Sequence, residues 1–147
     1  MQISKRCSVA IHCLICIHEF SELNKVTSKQ LALSTGCNPV IIRNIMSALK
    51  KSGIITIKPG TGGTKLSKSP QEINLLQICS SVEPDFLKKL VGEHTCASKL
   101  CPVGRNIHLV LKKPYQKIRD DMANSMSNIT LAEILKDYQT VIASQQN

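Results

Sequence analysis

A mostly α-helical chain with one short β-hairpin and a long C-terminal helix is what the sequence predicts, on three observations. Apolar residues recur at helical spacing over most of the 147 residues. One stretch, IITIKPGTGGTKLS, instead gathers β-branched residues around Pro59-Gly60 and Gly62-Gly63, the pattern of two strands and a turn. From Pro102 onward an apolar stripe steps by three or four residues for longer than one small domain can cover.

Taken in chain order, residues 3–20 are apolar almost all round, with Ile3, Cys7, Ala10, Ile11, Leu14, Ile15 and Ile17 covering more than one face, which predicts a helix buried on several sides. VTSKQLALSTG then announces a helix of about two turns, with Thr27 as N-cap, Gln30 as its return partner and Gly36 at the exit. The next helix has the fullest start and stop signals, NPVIIRNIMSALKKSG: Asn38 to cap, Pro39 at the first helical position and Gly53 to leave. Its Ile42, Ile45, Met46 and Leu49 share one face; Val40, Arg43, Asn44, Ser47 and Lys51 share the other, which holds no acid. After the hairpin, SPQEINLLQICSSV predicts a helix over roughly 71–82, and PDFLKKLVGEHTCASKLCP a loop with short helical pieces. The stripe Val103, Ile107, Val110, Leu111, Pro114, Ile118, Met122, Met126 and Ile129 predicts a coiled-coil-like dimerisation helix, which Pro114 should kink or split. A last helix begins at Thr130, with Glu133 completing a capping box, and runs through LAEILKDY.

Helix, short helix, capped helix, hairpin is the order of a winged helix-turn-helix. In that architecture the third helix enters the major groove and the wing follows the backbone. The expected organisation is a winged helix-turn-helix domain over 1–82, a sensor loop over 83–101 and dimerisation helices over 102–147.

Charge agrees with this division. The net charge is +9, and from Leu23 to Gln71 there is no acid at all, while Lys25, Lys29, Arg43, Lys50, Lys51, Lys58, Lys65 and Lys68 fall in that span. A one-sided basic block is the footprint of a polyanion-binding module, set against a merely solvated face. Aromatics make up only 3% of the chain, with no Trp, so stacking platforms for single strands are poorly supplied.

Seven cysteines, an odd number and several of them in apolar runs, indicate a reducing cytosol rather than a disulfide scaffold. Lys5 and Arg6 ahead of CSVAIHCLICI imitate a signal peptide, but His12 interrupts the run, no cleavage site follows, and no segment reaches the roughly 18 apolar residues of a membrane span. A cytoplasmic protein without membrane contact is expected.

NPVIIRNIMSALKKSGIITIKPGTGGTKLSKSPQEINLLQI resembles the recognition helix, wing and following helix of the Rrf2 family of bacterial winged helix-turn-helix transcription regulators, the family of IscR, NsrR and CymR. The likeness extends to CPVG at the start of the long helix and ITLAEIL near the end. It implies a homodimer on a palindromic operator of double-stranded DNA, with Val40, Arg43 and Asn44 at the base edges and the capping Asn38 also among the DNA-binding residues. Thr27, Ser28, Lys58, Thr61, Gly62 and Lys65 would then hold phosphates or line the minor groove. Independently, Arg matches guanine and Asn adenine through paired hydrogen bonds, whereas wing lysines neutralise phosphate without reading sequence. The chain departs from the family where two arginines are common, here Arg43-Asn44, and where the wing has Thr64 in place of an aromatic.

HTCASKLCP, residues 94–102, allows several readings. Cluster-binding members carry three cysteines in this region; Cys101 matches the last and Cys96 the middle, but Lys88 to Val91 offers none. A two-iron, two-sulfur cluster would have to recruit His94, His108 or a partner-chain group. Zinc would need Cys96, Cys101 and a histidine at looser spacing than structural sites use. A thiol switch needs only one activated cysteine and a resolving partner: Lys99 and the helix N-terminus would favour a Cys101 thiolate, and Cys37, next to the recognition helix, would couple oxidation to DNA binding. Cys7, Cys13, Cys16 and Cys79 fall in the apolar core pattern, and inert packing is their simplest role.

The expected function is a DNA-binding transcriptional regulator, in the sense of a repressor, modulated through Cys96 and Cys101 and holding no resident cofactor. A small thiol or metal redox protein is the competing class, but no cysteine pair has the base, orienting acid and cofactor loop that the chemistry requires. A winged-helix module for protein contacts alone is the third, and the acid-free recognition face opposes it.

Overall fold

The structure, a computed structural model, describes residues 3–60 and 62–147. Its elements are α1 (Lys5–Phe20), α2 (Ser28–Thr35), α3 (Pro39–Lys51), β1 (Ile55–Lys58), β2 (Gly63–Leu66), α4 (Leu75–Val82), α5 (Pro102–Ser127) and α6 (Leu131–Gln145). Short 3₁₀ turns occupy Pro70–Glu72 and Lys88–Leu90. The architecture is the expected mostly helical winged helix-turn-helix followed by a long helix.

Local signals place most boundaries. Ser4 caps α1 through the Arg6 N–H at 3.2 Å, so the helix starts at Lys5 and leaves Ile3 outside and exposed. Thr27 and Gln30 form the capping box of α2, and Asn38 caps α3 through the Val40 N–H at 2.8 Å. Gly36 and Gly53 take positive φ at the two exits. The wing is an antiparallel pair in the register Ile55 with Leu66, Thr56 with Lys65, Ile57 with Thr64 and Lys58 with Gly63. Ile55 and Thr64 turn inward while Thr56, Lys58 and Lys65 face solvent.

Two expectations need correction, and a third is extended. The helix expected over 71–82 is two elements, because Ser69 boxes with Glu72 and Asn74 boxes again with Gln77, with extended Ile73 between them. Pro114 does not split the long helix, which is continuous across it. The carbonyl that Pro114 leaves without its helical donor belongs to Val110, an exposed position where water can serve. The last helix runs two turns past LAEILKDY, to Gln145.

The core is one cluster built from α1 (Cys7, Ala10, Cys13, Leu14, Cys16, Ile17), α3 (Ile42, Ile45, Met46, Leu49) and α4 (Ile78, Cys79, Val82). Fully burying such Leu and Ile side chains stabilises by about 1.5–3 kcal/mol each. Met126, Leu131 and Leu135 join the same cluster, and the chain behind α5 is stitched to the segment before α4 by Leu75 N–H to the Ile129 carbonyl (2.9 Å) and Leu131 N–H to the Ile73 carbonyl (2.7 Å). The far half of α5 is left outside, with Val103, Val110 and Ile118 exposed.

Candidate nucleic-acid interface

Burial of Ile42, Ile45, Met46 and Leu49 turns the opposite face of α3 outward, so Val40, Arg43, Asn44, Ser47 and Lys51 all face solvent as one strip. Val40 is 52% exposed, far more than its role as a packing residue would allow. Asn38 stands at the tip of the strip, its Oδ1 engaged in the cap and its amide N–H₂ free to donate.

Beside this strip, a cleft of about 350 Å³ opens between the start of α2, the flank of α3 and the wing. Thr27, Ser28, Arg43 and Lys58 line it together, as expected for one interface. Lys25, Ser47 and Lys50 line it as well; the sequence placed the lysines in the acid-free block and Ser47 on the polar face of the helix, without a contact role for any of them.

Lys25 arrives there through backbone geometry. Gly63 sits at φ 66° against Lys25 and Val26, where a Cβ would come within 2.9 Å of the Lys25 side chain and 3.2 Å of the Val26 nitrogen. Only glycine allows both the conformation and the approach. Thr64 N–H then bonds the Val26 carbonyl at 3.2 Å, and the Lys25 ammonium donates to the Gly60 carbonyl at the wing turn. Thr64, 2% exposed, fills the space inward of the hairpin, a task a small residue performs where the family places an aromatic.

Two expected wing contacts stand apart. Lys65 lies on the outer side of the hairpin, 3.4 Å from the Glu22 carboxylate, and does not line the cleft. Both partners are well exposed, so the pair is weak and yields readily to a phosphate. Gly62 is half-buried under the Lys58 side chain, and Thr61 lies outside the described residues.

The cysteines divide sharply. Cys7, Cys13, Cys16 and Cys79 are buried. Burial pushes the Cys13 and Cys79 thiols up to about 12, and Cys7 of α1 and Cys79 of α4 belong to the same buried core. Cys37 is half-buried in the α2–α3 turn, its Sγ 3.7 Å from the Thr35 carbonyl. Cys96 and Cys101 are exposed.

Cys101 is the N-cap residue of α5, and the Gly104 and Val103 backbone N–H groups hold its thiol below the ordinary range. The lowering comes from these backbone donors and not from Lys99, which was expected to help. Gly104, the last residue of CPVG, has a packing role that the sequence did not reveal: a Cβ there would run into the Ser98 carbonyl, so glycine lets the loop fold back over the first turn of α5.

Within one chain the residues present do not fit an iron–sulfur cluster or zinc. Cys96 and Cys101 are the loop's only thiols, His94 and His108 line a separate cleft, and among the described residues no three His, Cys, Asp or Glu side chains converge as a metal-binding group. Four ligands are what either site requires.

A helix-turn-helix, a hairpin wing and an acid-free basic cleft between them define a winged-helix DNA-binding regulator. The family model for Rrf2, described as iron-dependent transcriptional regulator, matches residues 3–137, and the chain belongs to that family. It is 32% identical over 133 residues to YwnA of Bacillus subtilis (strain 168), a candidate HTH-type transcriptional regulator, across 90% of this chain and 96% of YwnA. A candidate transcriptional regulator from Lactobacillus plantarum has a similar structure, with TM-score 0.74, 26% identity and 96% of each chain covered. IscR of T. potens shares the fold at TM-score 0.67 and 19% identity, over 94% of this chain and 88% of that one. These relatives are regulators of transcription and not enzymes. No helix among the described residues is long and apolar enough to cross a membrane.

Proposed function

We propose that the chain acts in the cytoplasm as a homodimeric repressor that clasps a palindromic operator, α3 in the major groove and the wing on the flanking backbone. The observation that carries this is the cleft where Thr27, Ser28, Arg43, Lys50 and Lys58 converge beside the outward strip of α3, in a span without a single acid. Val40, Arg43 and Asn44, with Asn38 at the tip, read bases; Thr27, Ser28, Lys58 and Lys65 hold phosphate, and Thr61 and Gly62 meet the minor groove. Residues 1–82 form the DNA-binding unit, 83–101 the sensor loop and 102–147 the dimerisation helices. The exposed Val103, Val110 and Ile118 of α5 support dimerisation, because a row of apolar side chains on one long helix is stabilised by a second copy.

Fluorescence anisotropy on a duplex palindrome tests the reading across salt concentrations. Binding that weakens steeply from about 50 to 200 mM salt supports it, since each neutralised phosphate releases counterions. Salt-insensitive or absent duplex binding overturns it.

A second layer concerns the signal. The lowered thiol of exposed Cys101, near exposed Cys96, supports oxidation of this loop as the input: peroxide takes the Cys101 thiolate to a sulfenic acid, and Cys37 at the partner's recognition helix condenses with it to a disulfide, releasing water. Cys101→Ser and Cys37→Ser proteins that lose operator release by peroxide support this; variants that respond as the parent does refute it.

A further inference from the structure

A second cleft, of about 300 Å³, lies between the loop at Glu93-His94 and one face of α5, at the lower end of the volumes that hold small ligands. His108, Lys112, Tyr115 and Arg119 step along that face by three or four residues, so the helix presents them as a row. Arg119 is the unusual member. Its Nε is buried and has no hydrogen-bond partner, although buried polar groups are nearly always paired and an orphaned one costs about 1–3 kcal/mol. No ion pair of the described residues engages it.

We propose that this cleft binds a small organic anion, a carboxylate or phosphate ester with a short apolar body, as an effector. Arg119 offers a planar fork of donors matched to two oxygens of one anionic group, and the buried Nε–H supplies one of them. Lys112 adds a second cation, against the lone carboxylate of Glu93 at the rim, so the cleft carries a positive surplus. His94 and His108 supply further ring N–H donors from the two sides, and the Tyr115 ring gives the apolar body a wall.

The cleft is distinct from the DNA-binding surface and borders the dimerisation stripe through Leu111. It shares no residue with the basic cleft at α3. At 100° per residue, the row from His108 to Arg119 lies roughly a third of a turn from the exposed stripe of Val103, Val110 and Ile118, so a second copy on that stripe leaves the row facing the loop. A ligand here would tie the loop carrying Cys96 and Cys101 to the helix that spaces the two DNA-binding units.

The test uses the full chain without DNA, so it stands or falls independently of operator binding. Inorganic phosphate and malate are titrated separately at constant ionic strength into isotope-labelled protein, following the side-chain resonances of Arg119, His94 and His108. Saturable shifts at these three groups support the proposal, with phosphate alone indicating a phosphorylated ligand and malate alone an organic acid. Arg119→Gln should then weaken binding about tenfold or more. The exposed Lys112→Gln, which disturbs no packing, should weaken it severalfold and guards against misfolding of the first variant. Shifts confined to Arg43, Lys50 and Lys58 overturn the proposal, because they mean that anions enter only the DNA-phosphate sites. So does a titration in which no resonance saturates. Arg119→Gln protein that binds the anion as the parent does but falls apart into monomers also overturns it, placing Arg119 in the dimer contact.

Discussion

The Thr27 hydroxyl accepts the Gln30 N–H at 3.3 Å while the Gln30 side-chain oxygen accepts the Thr27 N–H at 2.9 Å. This reciprocal cap starts α2 at the lip of the basic cleft, so one residue serves both folding and the proposed phosphate contact. Thr27→Ala should cost about 1 kcal/mol through the lost cap. At this chain length that lowers the thermal midpoint by about 2–4 °C. Thr27→Ser keeps the hydroxyl and should restore both the midpoint and duplex affinity. A Thr27→Ala protein as stable as the parent would show that the cap contributes nothing here.

Arg43 and Lys58 border the same cleft from different elements, and the proposed roles separate them by measurement. Arg43→Ala should cost about 1–3 kcal/mol on the cognate duplex and relax its discrimination among bases at one position. Lys58→Ala should weaken cognate and unrelated duplexes alike and reduce the salt slope by about one. If Arg43→Ala lowers affinity equally for every sequence, it is a phosphate contact and the base readers lie elsewhere on α3.

Much of this interface was legible in the sequence because its determinants are local. Capping pairs and glycine exits fix α2 and α3 within a few residues, and an acid-free span needs no structure to be seen. What was not legible depends on contacts distant along the chain. Lys25 reaches the cleft only because Gly63 packs against it, and Lys65 leaves it because the hairpin register turns it toward Glu22. The break at Ile73 lies between two successive capping boxes inside one apolar run, and the Arg119 cleft required the 93–94 loop to lie over α5, which no periodicity in either segment announces.

The thiols should react in two classes. Cys101, exposed and held low by the Gly104 and Val103 N–H groups, should be alkylated by iodoacetamide in native protein near neutral pH, where much of an ordinary thiol is unreactive. Cys13 and Cys79 should react only on unfolding. Gly104→Ala forces the Ser98 carbonyl away from the first turn of α5, and should shift the pH dependence of Cys101 alkylation while leaving Cys13 and Cys79 protected. Mass spectrometry of native protein labelled across pH decides; equal labelling of Cys13 and Cys101 would contradict the burial pattern.

Dimerisation through α5 is tested at Val110, 65% exposed in the single chain and on the stripe with Val103 and Ile118. Val110→Asp should shift sedimentation toward the monomer and reduce affinity for a palindrome far more than for a half-site, since only the linked pair engages both halves. Unchanged sedimentation would place the dimer contact elsewhere.

Burial of Cys13 and Cys79 also makes stability depend on alkaline pH. Each thiol ionises ordinarily near 9.0 but only at about 12 in the fold, because desolvation disfavours the thiolate. Above pH 9 the unfolded chain therefore loses protons that the folded chain retains, and unfolding is drawn forward. The contribution of each thiol is fully present below pH 9 and is lost progressively as the pH climbs toward 12. The comparison is between variants, so that every other alkaline contribution cancels. The fall in urea midpoint from pH 8 to about pH 11 should be shallower in Cys79→Ala than in the parent, even though the alanine protein is less stable at pH 8 through its lost packing. Parallel curves for parent and Cys79→Ala would mean that this thiol is free to ionise in the folded protein, and that the α1–α4 contact at Cys7 and Cys79 is open to water.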